Sequence, residues 1–207
     1  MIILNQLTSA VIQVAILMLI PLVFYVATRR KIGGFWNWIG IKYADKVPIN
    51  SSIAILVGFL VASTIPYLLL YKSGAITYSG FTYDAYKTYG WSLQTIATIL
   101  LWAVIQTSLS EEIFFRGFIG NRLSRKFGWI VGTSIQAIIF GLIHIASVWG
   151  HGMMSAIVVF IMTGGIGFLL GWLSIKRANE SIVYGWMIHA AVNIISPIVA
   201  FLLMIDK

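Results

Sequence analysis

The sequence predicts an all-α polytopic membrane protein, about six transmembrane helices in a single bundle with the site between the later helices. Three observations carry that prediction. Of 207 residues, 59% are hydrophobic and only 10% are charged, whereas soluble domains average about 25% charged. Mean hydropathy is +0.93. The apolar residues also gather into six runs of the length a bilayer crossing needs, roughly 18 residues or more.

The first run, Leu7 to Ala27, has no basic residue before it and is too long for a signal-peptide core. It ends in Arg29-Arg30-Lys31 without a small-residue cleavage site, so it is expected to stay as an anchoring helix. The stretch Ile32 to Asn50 mixes Phe35, Trp36, Trp38 and Tyr43 with Lys and Asp, the composition of a segment lying among the headgroups. A second run, Ile53 to Tyr71, leads to the loop Lys72 to Gly90. That loop carries Tyr78, Tyr83, Tyr86 and Tyr89 and reads as an aromatic belt.

The remaining runs are Trp91 to Leu109, Trp129 to Val148, Met153 to Ile175 and Ile182 to Ile205. In the fifth, Gly164, Gly165, Gly167 and Gly171 provide the small-residue spacing that lets helices approach closely. In the sixth, Pro197 follows Asn193 by four residues and cannot donate to its carbonyl, which predicts a bend. No repeat, linker or low-complexity tract appears, so residues 1–207 read as a single membrane-embedded domain with a motif-bearing core at about 91–205.

The net charge of +8 does not point to nucleic acid, because the basic residues sit at the ends of the spans. If six spans alternate, Arg29, Arg30, Lys31, Lys42, Lys46, Arg122, Arg125, Lys126, Lys176 and Arg177 share one side. Only Lys72, Lys87 and Lys207 share the other. The positive-inside rule then puts both termini outside. With no cysteine, disulfides, thiolate metal sites and a thiol nucleophile are excluded.

Against this background Glu111, Glu112 and Arg116 stand out, since an acid or Arg at the centre of a membrane helix costs about 2.5 to 3.5 kcal/mol on insertion scales. Glu112 and Arg116 are spaced i, i+4 with the acid first, which favours an ion pair. Glu111 is turned about 100° away and has no such partner. His189 and Asn193 share a face of the last span, and Phe140 and His144 share a face of the fourth. At 1.5 Å per residue Glu111, His144 and His189 lie about 16 to 27 Å from the inner basic clusters, within reach of the bilayer's middle. A hairpin turning near Phe127 and Gly128 levels Glu111 with His144. A free carboxylate with two imidazoles and an amide can activate water for attack on a carbonyl. The same Glu111, His144 and His189 can instead hold Zn2+ or another divalent metal with one position open to water.

The three motifs, Glu111-Glu112-Ile-Phe-Phe-Arg116, Phe140-Gly-Leu-Ile-His144 and His189-Ala-Ala-Val-Asn193, stand in this order on three helices. In this the chain resembles the CAAX-protease and bacteriocin-processing (CPBP, or Abi) family of intramembrane proteases, over roughly Leu100 to Ala200. The resemblance implies a multi-pass endopeptidase of the bacterial cytoplasmic membrane. In it Glu111, with His144, activates water, and His189 with Asn193 stabilises the oxyanion. Glu112, Arg116 and Phe140 would support these groups. Either a metal-dependent or a metal-free glutamate mechanism is compatible with it. The implied partners are the lipid bilayer and a peptide or protein substrate, a bacteriocin or lipid-modified peptide among them. The alternative it implies is a non-proteolytic bacteriocin self-immunity or interaction protein on the same fold.

Other classes fail by motif. There is no His-Glu-x-x-His for a zincin. Gly132-Thr133-Ser134-Ile135 lacks the final Gly of a rhomboid serine loop. The only aspartates, Asp45, Asp84 and Asp206, lie outside the spans, so an aspartyl dyad is ruled out. An ion or proton transporter remains a weaker alternative, because membrane Glu and His also build cation pathways and no inverted repeat is evident.

Overall fold

A computed structural model describes residues 1–76 and 80–204, and every regular element among the described residues is a helix. The helices are α1 (Ile2–Arg29), α2 (Phe35–Ile39), α3 (Ile49–Lys72), α4 (Phe81–Tyr89), α5 (Leu93–Phe127), α6 (Trp129–His144), α7 (Met153–Arg177) and α8 (Val183–Met204). Helices α1, α3, α5, α6, α7 and α8 supply six spans long and apolar enough to cross a membrane. The polytopic all-α fold is therefore as the composition requires. Tyr78 and the end of the sixth predicted run, Ile205, lie outside the described residues.

The third span differs from its prediction. It runs 35 residues, from Leu93 to Phe127, instead of ending at Leu109. The Glu111 to Arg116 run interrupts hydropathy without interrupting the helix, because its charges are turned inward: Glu112 is 0% and Arg116 1% exposed. Two stretches of α5, Leu101–Leu109 and Glu112–Gly120, are wound as π-helix, a form that clusters at functional sites.

The spans are inside-out relative to a soluble protein. On α3, Val57, Val61, Ile65 and Leu69 recur every four residues and are exposed, and α1 exposes Leu7, Val11, Leu19 and Val23. Such faces would be liabilities in water and are suited to lipid. The buried positions of α1 include Gln6, Ala10 and Tyr25.

The elements pack as two sets. In the first are α1, α4, α5 as far as Ile113, and α8 from Trp186. Its interior contains a chain of amides and hydroxyls. Gln6 donates to Gln106, Gln106 donates to Ser9 (3.0 Å) and Gln13 (3.1 Å), and Gln13 donates to the Ser110 hydroxyl (3.2 Å). The indole of Trp186 donates to the Val104 carbonyl (2.7 Å) within the first π-helical stretch. The Tyr83–Tyr89 stretch, read from sequence as a belt, forms α4 instead. Tyr86 stacks on Phe201 at 4.4 Å with Tyr83 and Trp91 beside it.

In the second set are α2 from Trp36, α3, α5 from Phe114, α6 and α7. Gly128, at φ +85°, turns α5 into α6 at the predicted hairpin. There a Cβ on Gly132 would stand 2.2 Å from the Ser124 backbone nitrogen. Gly167 and Gly171 bring α7 against α6, where a Cβ would meet the Phe140 ring at 3.2 Å and Thr133 at 2.8 Å, and Gln136 donates to the Gly167 carbonyl (2.7 Å). Gly165 faces open space. The stretch after α1 is more than a headgroup anchor. Ile39 is fully buried, Arg122 donates to the Trp38 carbonyl (2.9 Å) and covers its ring (3.9 Å), and Ile182 N–H donates to Gly40 (2.9 Å). Hydropathy alone does not distinguish an aromatic segment that docks on protein from one that lies on lipid.

Candidate active site

Glu111 lies at the joint between the two π-helical stretches of α5 and Glu112 opens the second, and their environments differ. Glu112 is sealed, with its side chain 0% exposed, and its Oε1 accepts from His189 Nδ1 at 3.1 Å. Glu111 retains 15% side-chain exposure, and its Oε2 has no hydrogen-bond partner. That oxygen stands 3.8 Å from His189 Nε2, too far for a direct hydrogen bond and within the reach of a bridging water. The imidazole of His189 thus lies between two carboxylates, one anchoring Nδ1 and the other facing Nε2. This is the arrangement by which enzymes fix a histidine's tautomer and ring plane.

Asn193, one turn beyond His189 on α8, points at the same stretch of α5. Its amide donates to Thr107 Oγ1 (2.9 Å) and Ser108 Oγ (3.3 Å), so both N–H groups are engaged. Thr107 in turn donates to the Trp102 (3.0 Å) and Ala103 (3.3 Å) carbonyls. Helix α8 runs through Pro197. The first set therefore gathers Glu111, Glu112, His189 and Asn193.

The second set holds Arg116, Phe140 and His144. His144 Nδ1 lies 2.7 Å from the Phe140 carbonyl. As donor to that oxygen it leaves Nε2 as the basic nitrogen. The Phe140 ring is 2% exposed and packs between the His144 ring (4.4 Å), the Phe115 ring (5.0 Å) and the Arg116 guanidinium (4.2 Å). Gly167 makes room for Arg116, whose Nη2 would lie 3.5 Å from a Cβ there. His151, in the loop between α6 and α7, is exposed.

Two features escaped sequence reasoning. The i, i+4 spacing points Glu112 to Arg116 but says nothing of its link to His189, which joins residues 77 apart on two helices. The amide chain had a signal: Gln6, Ser9 and Gln13 recur on α1 at i, i+3, i+7, a polar stripe on an otherwise apolar helix.

A family model described as type II CAAX prenyl endopeptidase Rce1-like matches residues 90–195, just over half of the 207-residue chain. The chain belongs to that family. The matched segment contains every motif residue named above, from Glu111 to Asn193, and leaves α1 to α4 outside it. The family is one of CAAX-type intramembrane endopeptidases, in keeping with the six spans of this chain. No curated protein and no solved structure matches the chain.

Zinc takes carboxylate oxygen and imidazole nitrogen. Glu111 Oε2, lacking a hydrogen-bond partner, and the outward Nε2 atoms of His189 and His144, each with its other ring nitrogen tied, have the chemistry of such ligands. Among the described residues, no three His, Asp or Glu side chains gather into a metal-binding group.

Proposed function

We propose that the protein hydrolyses a peptide bond of a membrane-associated or membrane-delivered peptide, with Glu111 as the base that activates water. The observation that carries this reading is the contrast within one dipeptide. Glu112 is fully buried and gives Oε1 to His189, whereas the Glu111 side chain keeps 15% exposure and its buried Oε2, with no hydrogen-bond partner, stands opposite the same ring.

In the proposed reaction Glu111 Oε2, assisted by His144 Nε2, takes a proton from water as its oxygen attacks the scissile carbonyl carbon. The carbonyl π electrons move onto oxygen. That charge is met by His189, protonated at Nε2, and by Asn193. Of the two amide bonds Asn193 makes, the 3.3 Å bond to Ser108 is the weaker, and a developing oxyanion would displace it. Collapse of the tetrahedral species breaks the C–N bond, and the proton held by Glu111 passes to the leaving amine. A divalent metal, if bound, would be held by Glu111, His144 and His189 and would supply a Lewis acid and an acidified water. The family's name directs the substrate search first to lipid-modified C-terminal peptides, with bacteriocin-like peptides second. The basic side is assigned to the cytoplasm of a bacterial membrane, with both termini outside.

The test is cleavage of quenched fluorescent peptides by purified protein in nanodiscs, repeated with His144→Ala, His189→Ala and a chelator. Both variants are expected to stop turnover in a protein that still folds, His144→Ala without lowering the melting temperature and His189→Ala with a lower one because buried Glu112 loses its partner, and the chelator separates the metal-dependent from the glutamate-only scheme. A folded wild type that binds a peptide without cleaving it would instead assign the protein to immunity or scaffolding.

A further inference from the structure

Away from the reacting groups, the second set forms an open, surface-facing cavity of about 510 Å³ where α3 begins and α7 ends, lined in part by Lys46, Asn50, Ser51, Lys176 and Arg177. Three of these are cations, and among the described residues none of the three forms an ion pair with a carboxylate. The acids nearest in sequence are otherwise engaged: Asp45 accepts from Asn179 (3.4 Å), and Glu180 is paired with Arg125. The first turn of α3 contains no acid and has no side-chain cap, so its backbone N–H groups add partial positive charge beside Asn50 and Ser51.

Position narrows the ligand. Because α3 and α7 are both membrane spans, the ends that form the cavity lie at headgroup depth. Lys176 and Arg177 rest on the rings of Trp129 (5.5 Å) and Trp172 (5.2 Å), and tryptophan favours the same interface. An anion bound there meets three cations, a helix amino end and two neutral polar side chains, with an acyl chain free to continue along the exposed face of α3. We propose that this cavity binds the phosphate of an anionic phospholipid headgroup. The proposal is independent of the protease reading.

Native mass spectrometry of the full chain in detergent, titrated with phosphatidylglycerol or phosphatidylcholine, tests it. Each basic residue near an anionic lipid contributes roughly fivefold in affinity. The Lys46→Gln/Lys176→Gln/Arg177→Gln variant should therefore lose on the order of 100-fold in phosphatidylglycerol affinity. Lys176→Gln alone should lose about fivefold, which guards against misfolding of the triple variant. Arg29→Gln/Arg30→Gln/Lys31→Gln removes equal charge outside the cavity and should leave the preference in place. Equal binding of the two lipids by the wild type, or equal losses in the cavity and control variants, would overturn the proposal. Displacement of the lipid by millimolar inorganic phosphate would reassign the site to a soluble anion.

Discussion

Glu111 and Glu112 are adjacent and chemically identical, and their surroundings divide the work between them. Glu112 gives one oxygen to His189 Nδ1 and is closed to solvent. Removing it frees the imidazole to turn and leaves buried partners unmatched, so Glu112→Ala is expected to lower kcat/KM by about 10- to 100-fold and to lower the melting temperature. Glu112→Gln keeps an oxygen that can accept from Nδ1 and should recover part of that loss, a split that kinetics and thermal unfolding read together. The freedom of Glu111 was legible from helical rotation alone. The Glu112 to His189 link was not, since it depends on which faces α5 and α8 present to each other. A second carboxylate reports on pH. The Arg125 guanidinium holds Glu180, which lies between the last two spans, below its ordinary value, chiefly through their hydrogen bond. The stability this pair contributes is present above the unfolded carboxylate's pKa and is lost as pH falls through the lowered folded value. Melting temperatures of wild type and Glu180→Gln should differ near neutrality and converge at acid pH.

At the scale of elements, the sequence reading of α1 as an anchor missed its second role. Through Gln6, Ser9 and Gln13 it hydrogen-bonds to Gln106 and Ser110, immediately before Glu111 on α5. Hydropathy treats such residues as noise in an apolar run, while in lipid a buried amide must find a partner. Gln106→Leu is expected to cost about 0.6 to 1.7 kcal/mol, from the average to the maximum measured for interhelical hydrogen bonds in a membrane protein. Reversible unfolding in mixed micelles measures it. Glycine spacing, by contrast, was readable: Gly167 and Gly171 do bring α7 onto α6. The tighter contact is at Gly132, where a methyl group meets backbone that cannot rotate away. Gly132→Ala should therefore destabilise by about 1 to 3 kcal/mol in the same assay.

For the whole molecule, composition dictated the class, and each apolar run falls on one observed span, with the largest difference at α5, where buried charge interrupts hydropathy without ending the helix. The three motifs lie within the segment that matches the Rce1-like family, residues 90–195. The amide-bearing α1 and the start of the basic cavity at Lys46 lie outside it. Motif reading reaches the family's shared chemistry and stops at such contacts, which are built from residue types common in any membrane helix. The central claim is that one carboxylate activates water. It is tested most directly by the cleavage rate of a membrane-presented peptide with wild type and Glu111→Gln, each shown by thermal unfolding to be equally folded. The account predicts a loss of at least about 1,000-fold in kcat with an unchanged melting temperature. Full activity in Glu111→Gln, or a loss of activity that merely follows a loss of fold, would contradict it.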